Sequence, residues 1–253
     1  MWRTSLPFRP ATASNSIRTL CALAALPGML IGPGVIVTSA AAQSVHVSVH
    51  LAPDKSHGNA VSSSYAVWLV PLEAAAAMPP ATPPESFQLL QKGKEFHPHL
   101  LVVPVGSSID FPNQDPFYHN VFSLFEGKRF DLGLYEAGSH RSVRFDREGV
   151  SYIFCNIHPE MGAVIISVRT HFYSVVGAGK AADFENLPEG EYTLKVWSED
   201  ATPESLQAAE RRIEVKKGAS LQIDLQLVAR TRSMTAHKNK FGDDYPPEHD
   251  PTY

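Results

Sequence analysis

The chain has 253 residues, 43% of them hydrophobic and 19% charged, with a net charge of −4 at pH 7. This composition excludes a disordered chain and a multispan membrane protein, and twenty prolines with sixteen glycines argue for strands joined by turns rather than a helical bundle. The acidic balance gives no reason to expect nucleic acid or an anionic membrane as a partner.

Residues 1–42 read as an export signal. Arg3, Arg9 and Arg18 precede an apolar run from Leu20 to Val37, and Ala40-Ala41-Ala42 supplies small residues for cleavage before Gln43. Pro27, Gly28, Gly32, Pro33 and Gly34 make the run a poor membrane-spanning helix. The expected location is therefore periplasmic or secreted, with no membrane span left after cleavage. Cleavage takes the charge balance to −7, because three arginines and no acid are lost. It also removes Cys21 and leaves Cys155 without an internal disulfide partner. A lone thiol in an exported protein is a buried inert residue, a nucleophile or a metal ligand.

Ser44–Leu51 alternates, with Val45, Val47, Val49 and Leu51 on one face, and predicts a half-buried strand. A turn is expected over 54–59. Tyr65–Val70 is an apolar run of strand length, expected to be buried on both sides. Residues 73–85 read as a short helical turn and a proline-rich linker. Strands are then expected at about 87–90, 100–105, 108–112, 120–125, 141–146, 150–155 and 162–169, which predicts an antiparallel sandwich. A second β unit follows, with alternation over Tyr192–Trp197 and Leu221–Leu227. Residues 231–253 are polar and read as a disordered tail.

The chemistry concentrates in Cys155-Asn156-Ile157-His158-Pro159-Glu160-Met161, a tight loop between two strands. Another strand end, thirty-six residues earlier in sequence, offers His119. Two imidazoles, a thiolate and a thioether are the ligand set of a blue-copper site, in which the two His nitrogens and the Cys sulfur form a plane and Met is a weak axial ligand. Pro159 stiffens the turn that lets sulfur and imidazole converge. Zinc is disfavoured because Met is a poor zinc ligand. His97, His99, His46 and His50 read as surface histidines, and Trp68 and Trp197 as core residues.

This Cys-x-x-His-x-x-Met, with the upstream Pro116-Phe117-Tyr118-His119-Asn120-Val121, resembles the copper motifs of the cupredoxin family, closest in spacing to its amicyanin-like branch. Phe96–Asn113 and Gly149-Val150-Ser151-Tyr152 resemble the family's strands before the two ligand segments. The resemblance covers residues 86–169. The whole chain also resembles exported bacterial proteins of the methylamine-utilisation type. It implies an all-β fold: a cupredoxin Greek-key sandwich with a second small β-sandwich. It implies His119, Cys155, His158 and Met161 as ligands of one copper ion in a type 1 site, and Asn120 as the residue that ties the two ligand segments together. It implies no catalysis, but one-electron transfer through the edge of His158 to transient redox partners. Glu160 stands where the family usually has an apolar residue, and an oxygen ligand from it would shift a blue site toward a red one. Copper sequestration or delivery is the alternative role, and a carbohydrate or adhesion module with an incidental copper site is the other.

Phe184-x-x-Leu187-Pro188-x-Gly190-x-Tyr192-x-Leu194 resembles small carboxypeptidase-regulatory-like sandwiches. Since 171–230 offers few strands, residues 43–72 are expected to pair with it, leaving 86–169 inserted between the two pieces.

Overall fold

The structure is a computed structural model and describes residues 43–52, 64–73, 86–124, 127–230 and 238–245. The expected export signal, the turn over 54–59 and residues 74–85 of the expected linker lie outside these residues. In chain order the elements are β1 (Ser44–Ala52), β2 (Ser64–Pro71), β3 (Phe87–Gln88), β4 (Leu90–Gln91), β5 (Phe96–His97), β6 (Leu100–Pro104), β7 (Ser108–Pro112), β8 (His119–Ser123) and β9 (Phe130–Tyr135). They continue with β10 (His140–Arg144), β11 (Gly149–Cys155), β12 (Gly162–Val168), β13 (Tyr173–Gly177), β14 (Ala181–Glu185), β15 (Gly190–Trp197), α1 (Pro203–Ala209), β16 (Arg211–Val215) and β17 (Ser220–Val228). The fold is all-β apart from the short α1, the class expected from the sequence. Among the described residues no helix is long and apolar enough to cross a membrane.

Four main sheets make two sandwiches. One sheet orders its strands β6-β12-β11-β8-β9 and faces the sheet β10-β7-β3. Their shared core holds Val103, Ile109, Phe111, Val121, Phe145, Ile153 and Ile165, together with Cys155 and Met161. The other sandwich sets β14-β1-β17 against β13-β2-β15-β16, around Val45, Val47, Val49, Leu69, Tyr192 and Leu225. In it β1 runs antiparallel to β14 and parallel to β17, with Val47 opposite Ala182 and Ile223. Strand β2 lies between β13 and β15.

A third apolar cluster joins the sandwiches back to back. Ala66, Trp68 and Trp197 come from one sheet, and Leu100, Val102, Val164, Ile166 and Val168 from the other. This explains two runs that carry no alternation. In β2, Tyr65, Val67 and Leu69 enter one core while Ala66 and Trp68 enter the shared cluster. In β12, Ala163 and Ile165 enter the core that holds Cys155 while Val164, Ile166 and Val168 enter the shared cluster. A strand covered on both faces needs apolar side chains on both.

Strand β9 escaped the sequence reading. Gly133 adopts φ 67°, and the β8–β9 register shifts between Asn120 and Phe122. A bulge of this kind breaks the two-residue period on which such a reading depends. Residues 238–245 also depart from expectation. Within the polar 231–253 tail, they hydrogen-bond to the 155–161 loop.

Candidate metal centre

Two strand ends build the site. β11 finishes at Cys155, and β8, its antiparallel neighbour, begins at His119. The 155–161 loop closes on itself: the Cys155 N–H donates to Met161 O at 3.3 Å, and the Met161 N–H to His158 O at 3.1 Å. The Asn156 N–H donates to Asn120 O at 3.3 Å, which joins the two ligand segments through their backbones.

Cys155 Sγ lies 3.7 Å from His119 Nδ1 and 3.5 Å from His158 Nδ1, and the two Nδ1 atoms are 3.2 Å apart. A point equidistant from these three atoms lies about 2.0 Å from each, close to ordinary metal–nitrogen and metal–sulfur bond lengths. The arrangement fits one soft or borderline metal ion. Among the described residues this is the only group of three His, Cys or acidic side chains so placed. His119, Cys155 and Met161 are 0% exposed, and His158 is half-buried. Phe117 packs beside both imidazoles, its ring centroid 5.2 Å from that of His119 and 5.5 Å from that of His158.

Of the two shifted donors, His158 is ready for a metal and Cys155 must first lose its proton. Burial pushes the Cys155 thiol up, opposed by backbone N–H groups of Asn120, Ile157 and His158 that favour the thiolate, while the Glu160 charge adds a smaller upward push. Burial, and then the neighbouring His119, push the His158 imidazole down, so it is neutral and ligand-competent at pH 7.

Asp115 was not singled out by the sequence reading, yet it supports the site. Its Oδ2 lies 2.9 Å from His119 Nε2. Burial raises this carboxyl, but N–H groups of Lys94 and Gly93 and the His119 ring outweigh that, and its net shift is downward. An ionised carboxylate only accepts, so Nε2 carries the proton and Nδ1 keeps its lone pair toward Cys155. Gly93 and Lys94, at φ 68° and 59°, aim their N–H groups at the same carboxylate, at 2.6 Å and 3.0 Å. No spacing rule flags an acid in a loop four residues before a histidine.

The remaining expected residues divide clearly. Asn120 is buried and donates from Nδ2 to Asp131 Oδ1 at 2.7 Å. Glu160 is exposed and stands outside the donor group. His97 lies near Lys92 O and Glu95, and His99 near Gly162 O and Glu199, so each is engaged elsewhere. His46 and His50 lie beside Asp183 and Asp224 on the β14-β1-β17 sheet.

No family model and no curated protein matches the chain. Solved structures similar to parts of it include a Cu-containing nitrite reductase from Thermus scotoductus SA-01, 26% identical over 39% of this chain with a TM-score of 0.33. The aligned region spans only 27% of that reductase. A purple cupredoxin from Nitrosopumilus maritimus is 23% identical, covering 32% of this chain and 99% of its own, with a TM-score of 0.30. Amicyanin from Paracoccus versutus is 18% identical, covering 40% of this chain and 97% of its own, with a TM-score of 0.31.

Proposed function

We propose that the chain is an exported cupredoxin that carries single electrons between protein partners through one copper ion. The observation that supports this most is the buried triangle of His119 Nδ1, His158 Nδ1 and Cys155 Sγ. In this reading these three atoms would hold the metal, and Met161, buried in the same core as Cys155, would add a weak thioether donor, the ligand set of a type 1 site with amicyanin-like spacing. The bound copper supplies a reversible one-electron couple. The protein's part is to hold one geometry for both oxidation states. Loop closure by Cys155 and Met161, the Asp115–His119 contact and the Asn156–Asn120 backbone bond all serve that rigidity.

A carrier also accounts for the burial. A catalytic metal keeps an open position for substrate. Here two donors and Met161 are sealed, and the half-buried His158 edge is the route for an electron rather than for a molecule. Transient redox proteins are the expected partners, and the periplasm or exterior the expected location.

The test is to load the purified protein with one equivalent of Cu(II). An intense thiolate-to-copper visible band and a paramagnetic-resonance spectrum with narrow copper hyperfine splitting are expected. A colourless protein that retains no copper overturns the reading. Asp115→Ala is expected to keep the fold and weaken copper binding about 10–100-fold, the usual cost of losing the group that orients a metal-bound imidazole. A competition titration against a chelator of known affinity measures this, and unchanged affinity would remove Asp115 from the site.

A further inference from the structure

Residues 238–245 touch the ligand loop through residue pairs 84 and 90 positions apart in sequence. The Lys240 backbone N–H donates to Asn156 Oδ1 at 2.9 Å, and Lys240 Nζ donates to Asp131 Oδ2 at 2.7 Å. The other oxygen of that carboxylate accepts from Asn120 Nδ2 at 2.7 Å and from the Gly133 N–H at 3.0 Å. The Asn156 N–H donates to Asn120 O. Lys240, Asp131, Asn120 and Asn156 therefore close a ring. Two of its members directly follow donor residues in the chain, Asn120 after His119 and Asn156 after Cys155. Tyr245 then donates its hydroxyl to the carbonyl oxygen of Cys155 itself at 2.7 Å.

The segment also carries its own shape. Asn239 Oδ1 accepts from the N–H groups of Phe241 and Asp243, at 2.9 Å and 3.0 Å, and the Asn239 N–H donates to Asp243 O at 2.9 Å. An Asn that folds the backbone around its own side chain makes a compact turn without help from a sheet. Lys240 and Tyr245 leave opposite ends of this turn and reach two different points beside Cys155.

We propose that residues 238–245 form a strap that holds the ligand loop closed, with Lys240 and Tyr245 as positioning residues for Cys155. Cys155 is fully buried, so a reagent reaches its sulfur only when the loop lifts. Lifting the loop breaks the Asn156–Lys240 and Cys155–Tyr245 bonds, so the strap sets how often the site opens. The copper arm of the test rests on the electron-carrier reading, and the thiol arm does not.

The experiment uses the full chain and compares Lys240→Ala, Tyr245→Phe and Lys240→Arg with the parent. In metal-free protein, alkylation of Cys155 by iodoacetamide is followed on its own peptide by mass, which separates it from Cys21. Alkylation is expected to run about tenfold faster in Tyr245→Phe, the factor that one lost hydrogen bond of ordinary strength allows, and about two- to fivefold faster in Lys240→Ala, which keeps its backbone bond to Asn156 and loses only the partly exposed Asp131 pair that anchors the strap. Lys240→Arg keeps the Asp131 pair and is expected to react at the parent rate. In copper-loaded protein, the rate of metal loss to excess EDTA is expected to follow the same order. Tyr245→Phe removes one oxygen and little packing, so it carries the test should Lys240→Ala fail to fold. Parent rates in both arms for Tyr245→Phe overturn the strap. Faster alkylation in a protein that takes up no copper keeps the strap and overturns the carrier reading instead.

Discussion

Cys155→Ser is expected to abolish the visible copper band and to weaken Cu(II) binding by more than about 100-fold, the upper end of what losing a mere supporting hydrogen bond costs. The thiolate is the softest donor of the set and the source of the charge-transfer colour. Serine occupies nearly the same volume, and the N–H groups of Asn120, Ile157 and His158 that favour the thiolate can meet its oxygen instead. The fold is therefore expected to survive, with far-ultraviolet circular dichroism unchanged. Wild-type protein is expected to show a linked pH dependence. Burial raises the free thiol, so at pH 7 metal must displace a proton from sulfur. Affinity for copper is then expected to rise about tenfold per pH unit while the thiol remains protonated in the metal-free protein. A Cys155→Ser protein that keeps its colour, or a wild-type affinity that is flat between pH 6 and pH 8, would move the metal to other ligands.

The candidate site is legible from sequence where it is local. Cys155, His158 and Met161 share one seven-residue loop between strands, where a sharp turn can bring them together. His119 is found through the resemblance of its flanking residues, and the structure brings its Nδ1 beside the other two donors. What supports these donors is not local. Asp115 reaches the far nitrogen of His119 because the 113–118 loop folds over, with Asn113 Nδ2 donating to Phe117 O at 2.8 Å and the Asp115 N–H donating to Asn113 Oδ1 at 3.0 Å. Lys240 and Tyr245 arrive from a polar tail that carries no periodicity. Tertiary contacts of this kind leave no trace in a window of a dozen residues.

The strands follow the same division. β1 and β17 alternate and are readable, and Arg141–Asp146 buries Val143 and Phe145 as its pattern predicts. β13 and β16 bury only Val215 between them and show no period, and β14 alternates but buries only Ala182 and Phe184. α1 did carry its signal. Thr202 caps it, with Oγ1 accepting from the Ser205 N–H at 3.2 Å, and Pro203 and Glu204 fill its first turn. Seven residues of helix among strands are easily passed over when the surrounding pattern is β.

The architecture yields the second large effect. Val47 is 0% exposed at the middle of β1, with Ala182 on one side and Ile223 on the other. Val47→Asp puts a carboxylate into this core, at a cost of about 5 kcal/mol or more. That is on the order of the entire stability of a small domain. The sandwich of β1, β2 and β13–β17 is therefore expected to unfold. Trp68 and Trp197 would report it, since both lie in the apolar cluster between the sandwiches and their fluorescence should shift to the red as they meet water. The donor triangle belongs to the other core, which contains no residue of β1 or β2. The copper band is therefore expected to persist at 25 °C. It should also bleach at a lower temperature than in wild type, because Val102, Val164 and Ile166 lose their cover. Loss of the band together with the tryptophan shift would mean that the two sandwiches fold as one cooperative unit, bound by the Trp68–Trp197 cluster more tightly than either is bound by its own core.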